Sequence, residues 1–271
     1  MSGYRGLVLA TLALAFVVVV AGAYVRLSDA GLGCPDWPLC YGQPVPAQMP
    51  DDLAHAKAWK EMGHRYLAGG LGLLSILVFF FSWRARQSRG LATALLALVI
   101  FQATLGKWTV TLLLKPAIVT AHLLGGMATL ALLTWLALQN LQFTEDPQSR
   151  TLRVPAFVGL VAVVVQIALG GWVSANYAAL TAIHWTHRLF ALVVVGTVAF
   201  ACFRAFRVDA LRGIALLAAG LVIVQFALGV ANVALGLPLA LAAAHNAGAA
   251  LLVVSLVVLN FFAFRGLHPF R

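Results

Sequence analysis

The chain has 271 residues, of which 62% are hydrophobic and only 10% are charged, and its formal net charge is +10. Soluble domains are about half apolar and about one quarter charged, so this composition excludes a soluble enzyme. The basic residues stand singly between apolar blocks and form no continuous basic face, which argues against a nucleic-acid partner. The apolar residues instead form blocks of the roughly 20 residues that a helix needs to cross a bilayer.

Eight such blocks, bounded by charged residues, Pro and Gly, are predicted to be transmembrane helices. In chain order they cover 6–25, 66–83, 91–110, 117–138, 154–174, 188–203, 213–233 and 239–263. The first block is too long for the apolar core of a typical signal peptide, so we expect it to remain as a span. The predicted fold class is therefore all-α, a polytopic protein of the lipid bilayer with eight transmembrane helices.

The distribution of basic residues predicts the orientation of these spans. With a cytoplasmic N-terminus, the inner segments hold eleven basic and three acidic residues, and the outer segments hold seven basic and five acidic residues. Short cytoplasmic loops accumulate Lys and Arg, so we expect both termini to be inside.

The one long outer loop, roughly 26–63, is rich in Pro, Gly and Asp and contains Cys34 and Cys40. Loops of this length are commonly functional or disordered. An oxidising outer compartment would allow the two cysteines to form a disulfide. The alternative is a pair of free or metal-binding thiols, although their spacing is not a zinc pattern. The third cysteine, Cys202, lies in an apolar block and is expected to be a small buried residue.

An internal repeat divides the chain, because three motifs on three helices recur at one offset of 123 residues. The matching pairs are His64-Arg65 with His187-Arg188, Gln102-x-x-Leu105-Gly106 with Gln225-x-x-Leu228-Gly229, and Ala121-His122-x-x-Gly125 with Ala244-His245-x-x-Gly248. The first and fifth spans match at a different offset, through Gly22–Val25 and Gly170–Val173. The sequence therefore predicts two tandem four-helix bundles of the same orientation, 1–142 and 148–271.

Four of the repeated residues are histidines inside or beside apolar spans, where ionisable residues are costly and point to function. His64 and His187 open the second and sixth spans, and His122 and His245 lie near the starts of the fourth and eighth. All four spans start outside, so each half places two histidines near the outer face. Two facing imidazoles in an apolar bundle are what bis-histidine ligation of haem iron requires.

Several glycines follow the first two histidines, at 69, 70, 72, 125 and 126. They would let a porphyrin approach the backbone, although glycines of this kind also allow membrane helices to pack closely.

Three arginines at the outer ends of spans, Arg26, Arg65 and Arg188, can pair with haem propionates. Interfacial anchoring by snorkelling is an equal alternative for Arg26. His184 could also serve as a ligand, but the repeat selects His187. No role is predicted for the remaining histidines, His55 and His268.

The two halves differ at one informative position, since Glu61 has His184 as its counterpart 123 residues on. Three residues along a helix place Glu61 on the same face as His64. A carboxylate beside a cofactor pocket can give or take a proton. The alternative is an ion pair with Arg65 at the membrane edge. This asymmetry predicts a reactive site in the first half and a more purely ligating site in the second.

These residues together resemble the haem A synthase family over essentially the whole chain. The resemblance is carried by Gly22–Gly42, which reads GAYVRLSDAGLGCPDWPLCYG, by Glu61-x-x-His64-Arg65, and by the QxxLG and Ala-His motifs. It implies a bacterial cytoplasmic (inner) membrane protein that oxidises the C8 methyl group of haem O to a formyl group, giving haem A for cytochrome c oxidase. The family reaction is usually described as successive hydroxylations followed by dehydration.

The resemblance also implies roles for individual residues. His64 and His122 would bracket the substrate haem, and Glu61 would be the catalytic carboxylate. His187 and His245 would ligate haem b.

The same resemblance bears on cysteines and partners. Cys34 and Cys40 match the family's first-loop cysteine pair, whereas 174–186 lacks the second pair that some members have. The implied protein partners are haem O synthase, the assembly of cytochrome c oxidase, and an electron donor that the motifs do not identify.

Two other functions are consistent with parts of the pattern. A di-haem b-type membrane cytochrome for electron transfer would use the paired histidines, but it has no need for Glu61 and would place its haems near opposite faces. A transporter built from parallel repeats would favour polar residues and broken helices near mid-membrane, which these spans largely lack.

Overall fold

The structure is a computed structural model, and it describes residues 2–46, 51–176 and 181–268. Within those ranges, eight helices are long and apolar enough to cross a membrane, which confirms the all-α, polytopic prediction. They are α1 (Ser2–Leu27), α2 (Asp52–Ala85), α3 (Arg89–Thr111), α4 (Pro116–Gln139), α5 (Arg153–Asn176), α6 (Thr181–Phe206), α7 (Arg212–Ala234) and α8 (Leu239–Arg265). The short elements are β1 (Thr144–Glu145), β2 (Leu267–His268) and two 3₁₀ helices, Pro147–Leu152 and Asp209–Leu211.

Two helices begin well before their predicted spans. The second helix starts at Asp52 because the Asp51 carboxylate accepts a hydrogen bond from the backbone N–H two residues later, at 2.9 Å, and caps the first turn. The sixth starts at Thr181. We predicted that each of these helices starts at its first continuous apolar run. The more polar turns before that run are helical too. His64 and His187 therefore lie inside their helices rather than at the first residue.

The chain divides into two compact units, Met1–Leu133 and Thr134–Arg271, so the boundary lies inside α4. In the second unit α5, α6, α7 and α8 pack in sequence and α8 returns against α5. In the first unit α1, α2 and α3 pack in sequence. The tandem arrangement of two four-helix bundles, with a substrate-haem half and a haem b half, stays a prediction.

The polar segment after α4 attaches to the end of α8, which the sequence did not predict. Strand β1 pairs with β2 in antiparallel register, Thr144 opposite His268. Ser149 Oγ lies 2.7 Å from the Asp146 carbonyl and 3.1 Å from the Phe262 carbonyl, so its one hydroxyl hydrogen is shared between them. Arg153 Nε donates to the Ala263 carbonyl at 3.3 Å. The last carbonyls of a helix lack intrahelical partners, so Arg153 caps α8 at Ala263. The Phe262 carbonyl already accepts from the Gly266 N–H at 2.9 Å, and Ser149 adds a second contact there.

Candidate functional site

Each of the four predicted ligand histidines has its ring against a glycine of the preceding helix. A Cβ added to Gly22 of α1 would lie 2.9 Å from Cε1 of His64 in α2. The second unit repeats the contact, since a Cβ on Gly170 of α5 would lie 2.9 Å from Cε1 of His187 in α6. Non-bonded carbons need about 3.5–4.0 Å, so only glycine fits at these two positions without displacing the ring.

The other two histidines have looser contacts of the same kind. A Cβ on Gly106 of α3 would lie 3.4 Å from Cε1 of His122, and one on Gly229 of α7 would lie 3.4 Å from Cε1 of His245. A tight and a loose contact therefore occur once in each unit. The repeat seen in the sequence is also a repeat of three-dimensional contacts.

A second contact beside each looser histidine accounts for the QxxLG and AHxxG motifs. The side chain of Gln102 lies directly against Gly125, and that of Gln225 lies against Gly248. In each helix pair this contact lies one turn along from the glycine that faces the histidine. The two motifs are thus the two sides of one antiparallel helix contact. We expected Gly125 to give a porphyrin room, but Gln102 occupies the space beside it.

The histidine rings have polar atoms that the protein does not use. In the described part of the chain, Nδ1 of all four rings is buried and has no hydrogen-bond partner. Within each unit the two rings are close enough to interact electrostatically, His64 with His122 and His187 with His245. An unsatisfied buried polar atom costs about 1–3 kcal/mol. Neutral imidazole is the commonest metal ligand in proteins. Because Nδ1 of each ring is buried, Nε2 is the atom through which a metal group would bind.

The number of histidines in each unit fits haem better than a bare ion. Across residues 2–46, 51–176 and 181–268, no group of three or more His, Cys, Asp or Glu side chains could hold a metal ion. A protein-held zinc ion usually takes three or four protein ligands. Haem iron takes its remaining ligands from the porphyrin and needs only one or two from the protein. Two histidines in each unit that interact electrostatically therefore fit a haem better than a bare metal ion.

Glu61 is buried, with only 4% of its surface exposed, and both of its carboxylate oxygens accept hydrogen bonds. Oε1 pairs with the Arg65 guanidinium at 2.5 Å, one turn along α2, and Oε2 accepts from the backbone N–H of Cys34 at 2.9 Å. The ion pair that the sequence offered as an alternative is present. The catalytic role of Glu61 stays a prediction, and the carboxylate also lies within one turn of His64.

The three arginines predicted to contact propionates have different surroundings. Arg65 donates to Glu61 and to backbone carbonyls of the outer loop, so its guanidinium is occupied. Arg188 is exposed and lies over the ring of Trp185, 5.4 Å from its centroid. Arg26 lies in the last turn of α1. Propionate binding stays a prediction for all three, and the exposed Arg188 is the better placed of the repeated pair.

The outer loop is held by a disulfide, as one of the two sequence interpretations expected. Cys34 and Cys40 are bonded, with their Cα atoms 4.8 Å apart, and together with Ala58 and Met62 they form a buried cluster. A Cβ on Gly33 would lie 2.6 Å from the backbone of α2, so the loop chain lies directly on that helix.

The tip of this loop is shaped by Asp36. Its carboxylate accepts hydrogen bonds from the backbone N–H groups of Tyr41 at 2.7 Å and Gly42 at 2.8 Å. The Gly42 bond is the main reason that the pKa of Asp36 lies below its usual value, and the Tyr41 bond and the nearby Arg65 act in the same direction. The loop is therefore ordered by polar contacts as well as by the disulfide.

Some neighbours of the histidines were missed by the sequence reasoning. Gln166 of α5 donates to the backbone carbonyl of His187 at 2.9 Å, and no repeated residue marked it. His184 interacts electrostatically with His187 from one turn away. His55 accepts a hydrogen bond from the Trp59 indole at 3.1 Å, so it belongs to a separate surface pair.

Comparison with known proteins identifies the family. A model of the cytochrome oxidase assembly protein family matches residues 5–186 and 180–257. A haem A synthase of Shewanella oneidensis is 37% identical over 310 aligned positions, which cover 93% of this chain and 94% of that protein. A haem A synthase of Caulobacter vibrioides is 34% identical over 49% of this chain and 41% of its own length.

One further relative has a different name. A protohaem IX farnesyltransferase 1 of Natronomonas pharaonis is 34% identical over 134 residues, which are 49% of this chain and 27% of that protein. The family model and the Shewanella relative each cover most of the chain. The chain therefore belongs to the haem A synthase family of cytochrome oxidase assembly proteins.

Proposed function

We propose that the protein is a haem A synthase, a membrane oxidoreductase that oxidises the C8 methyl group of haem O to a formyl group. The observation that carries this proposal is the buried Glu61 carboxylate, one helical turn from a histidine that belongs to a duplicated pair. Paired histidines alone would suit any di-haem protein. The first unit has an acidic residue at the position where the second unit has His184. This difference, together with membership of the family, favours a synthase.

We assign the substrate haem O to the first unit, between His64 and His122. This unit has Glu61, whereas the second unit has His184 at the repeated position. We assign a resident haem b to His187 and His245. The burial of Nδ1, which leaves Nε2 as the ligand atom, and the glycine contact repeated at each ring support ligation by both pairs.

Glu61 supplies the proton chemistry in this proposal. If water supplies the oxygen atom, oxidation of a methyl group to a formyl group releases protons together with electrons that must pass to an electron acceptor. A carboxylate close to the reacting group can accept such protons. Arg65 and the Cys34 N–H orient both of its oxygens. Haem iron, when bound, supplies the redox chemistry. Arg188, at the exposed end of the second site, is suited to bind a propionate of haem b.

The proposed setting is the bacterial cytoplasmic (inner) membrane, with both termini inside and the histidines near the outer face. The excess of basic residues in the predicted inner segments supports this orientation. Contact with the enzyme that makes haem O is supported by the Natronomonas relative. Part of that protein is similar in sequence to about half of this chain, and the protein is named a protohaem IX farnesyltransferase.

The test is expression of the protein in cells that accumulate haem O, followed by extraction and mass analysis of the haems. A hydroxylated or formylated product is expected, and Glu61→Ala should retain bound haem while forming no haem A. A preparation that binds two haems but leaves haem O unchanged would instead support the di-haem cytochrome.

The second haem site has its own test. Purified protein should show a low-spin haem b spectrum that is lost in His187→Ala and in His245→Ala. Unchanged spectra in both variants would refute this ligand assignment.

A further inference from the structure

Arg65 connects the disulfide loop to the Glu61 carboxylate of its own helix, α2. One terminal nitrogen of its guanidinium donates to the Leu39 carbonyl at 2.7 Å and to the Asp36 carbonyl at 2.9 Å, both in the disulfide loop. The other donates to Glu61 Oε1 at 2.5 Å. The side chain is largely buried, with 12% of its surface exposed. Its bonds to Glu61 and to the Asp36 carbonyl are partly buried, whereas the bond to the Leu39 carbonyl lies at the surface.

Glu61 returns to the same loop through its second oxygen. Oε2 accepts from the N–H of Cys34, and the Cys34 sulfur lies 3.8 Å from the Ala58 carbonyl of α2. The loop, Arg65 and Glu61 therefore form a closed circuit of hydrogen bonds. Neither carboxylate oxygen can turn without breaking a bond that also holds the loop.

We infer that Arg65 is a positioning residue, which fixes the disulfide loop on α2 and, through that loop and its own ion pair, sets the direction of the Glu61 carboxylate. The part of this inference that concerns turnover rests on the proposed function. Arginine is required because its planar group presents five donors in fixed directions, whereas lysine is a point charge. The repeated residue Arg188 lies exposed over Trp185 instead, so the role is specific to the first unit.

The loop part of the inference is tested by cysteine accessibility in the whole protein. Cys34 and Cys40 are both fully buried. After a mild reductant is added to open the disulfide, a membrane-impermeant maleimide should therefore label the two thiols slowly. Arg65→Ala should accelerate labelling at least about tenfold, since hydrogen bonds to a charged group are among the stronger ones. Mass analysis of the labelled peptides separates these sites from Cys202.

A matched control uses the exposed ion pair between the same loop and the same helix. Lys57 and Asp29 are 3.0 Å apart, and the Asp29 side chain is 74% exposed. Exposed pairs contribute little, so Lys57→Ala should leave labelling within about twofold of the parent protein. Labelling of Arg65→Ala at the parent rate would overturn the inference.

Coupling through Glu61 is tested by combining variants. Glu61→Gln keeps the shape of the side chain, but it removes the charge and replaces one of the two acceptor oxygens by an NH2 donor. Adding Arg65→Ala should then accelerate labelling by less than the product of the two single effects, because both residues belong to one network. Fully multiplicative effects would show that Arg65 holds the loop independently of Glu61.

The turnover part uses haem O conversion. Arg65→Ala should lower kcat about tenfold or more with little change in KM, the signature of a displaced group rather than lost binding. Arg65→Lys, which keeps the charge, should retain the fold and show a smaller loss of kcat with faster labelling. Unchanged kcat in both variants would overturn the positioning role. If the parent protein forms no haem A, the proposed function fails, and the labelling experiment still decides whether Arg65 holds the loop.

Discussion

Replacing Gly170 by alanine should displace the His187 imidazole and weaken binding of haem b. The added Cβ would lie 2.9 Å from Cε1 of the ring, whereas carbons in contact lie about 3.5–4.0 Å apart. The ring must therefore retreat by roughly 0.6–1.1 Å, or α5 and α6 must separate. Overpacking of this kind costs about 1–3 kcal/mol. If that cost falls on the ligated state, affinity for haem b decreases by about 5- to 150-fold.

Two other glycines provide a graded comparison. A Cβ on Gly229 would lie 3.4 Å from Cε1 of His245, so Gly229→Ala requires a shift of only tenths of an ångström and should weaken binding by less than Gly170→Ala. Gly196 lies on the same helix as His187 but has no atom within 4 Å of its Cβ position. Gly196→Ala should bind haem normally. Because glycine inside a helix is about 1 kcal/mol less favourable than alanine, this variant should not be less stable than the parent protein.

The assay is a titration of haem into protein purified from haem-depleted cells, followed by the Soret band and by low-spin electron paramagnetic resonance. Haem affinity should be highest in Gly196→Ala, lower in Gly229→Ala and lowest in Gly170→Ala. The electron paramagnetic resonance signal should be shifted in Gly170→Ala. Equal affinity and identical resonances for Gly170→Ala and Gly196→Ala would refute the reasoning that glycine seats the imidazole.

Two further predictions concern regions outside the histidine pairs. Ser149→Ala removes the hydroxyl that is shared between the Asp146 carbonyl and the Phe262 carbonyl of α8, and it should destabilise the protein by about 1 kcal/mol, measured as a lower thermal midpoint. The exposed Thr151→Ala should change the midpoint less. The pKa of Asp36 is lowered from 3.8 mainly by the Gly42 N–H, so its stabilisation of the loop is complete above pH 3.8 and is lost as the pH falls through the lower, folded value. Amide exchange at Tyr41 and Gly42, corrected for its intrinsic rate, should therefore accelerate only at strongly acidic pH, and pH-independent protection would contradict this.

The helices were predictable because each span must hide its backbone from lipid within one continuous apolar run. The start of α2 was placed too late, since its first turns are polar and depend on a cap at Asp51 that hydropathy does not measure. The pairing of β1 with β2 was missed for a related reason. Two-residue strands carry no periodicity, and their partners lie more than one hundred residues apart.

The candidate site divides in the same way between what residue types reveal and what contacts reveal. The histidines and Glu61 were found because ionisable groups are rare in apolar spans. The role of Arg65 in holding the loop was not found from the sequence. Its partners there are the backbone carbonyls of Asp36 and Leu39, and every residue has a backbone carbonyl. The glycine opposite His64 was part of a recognised motif, but the sequence did not show which ring it faces.

The contacts between glycines and histidines also bear on how the protein is made. Gly22 and His64 belong to α1 and α2, Gly106 and His122 to α3 and α4, and the second unit follows the same rule with α5–α6 and α7–α8. Each predicted ligand histidine thus contacts its glycine within a single helical hairpin. Hairpins can enter a bilayer one after another during translation, so each imidazole can be set in place before the rest of the chain is synthesised. Haem binding would then join two finished hairpins rather than organise four separate helices.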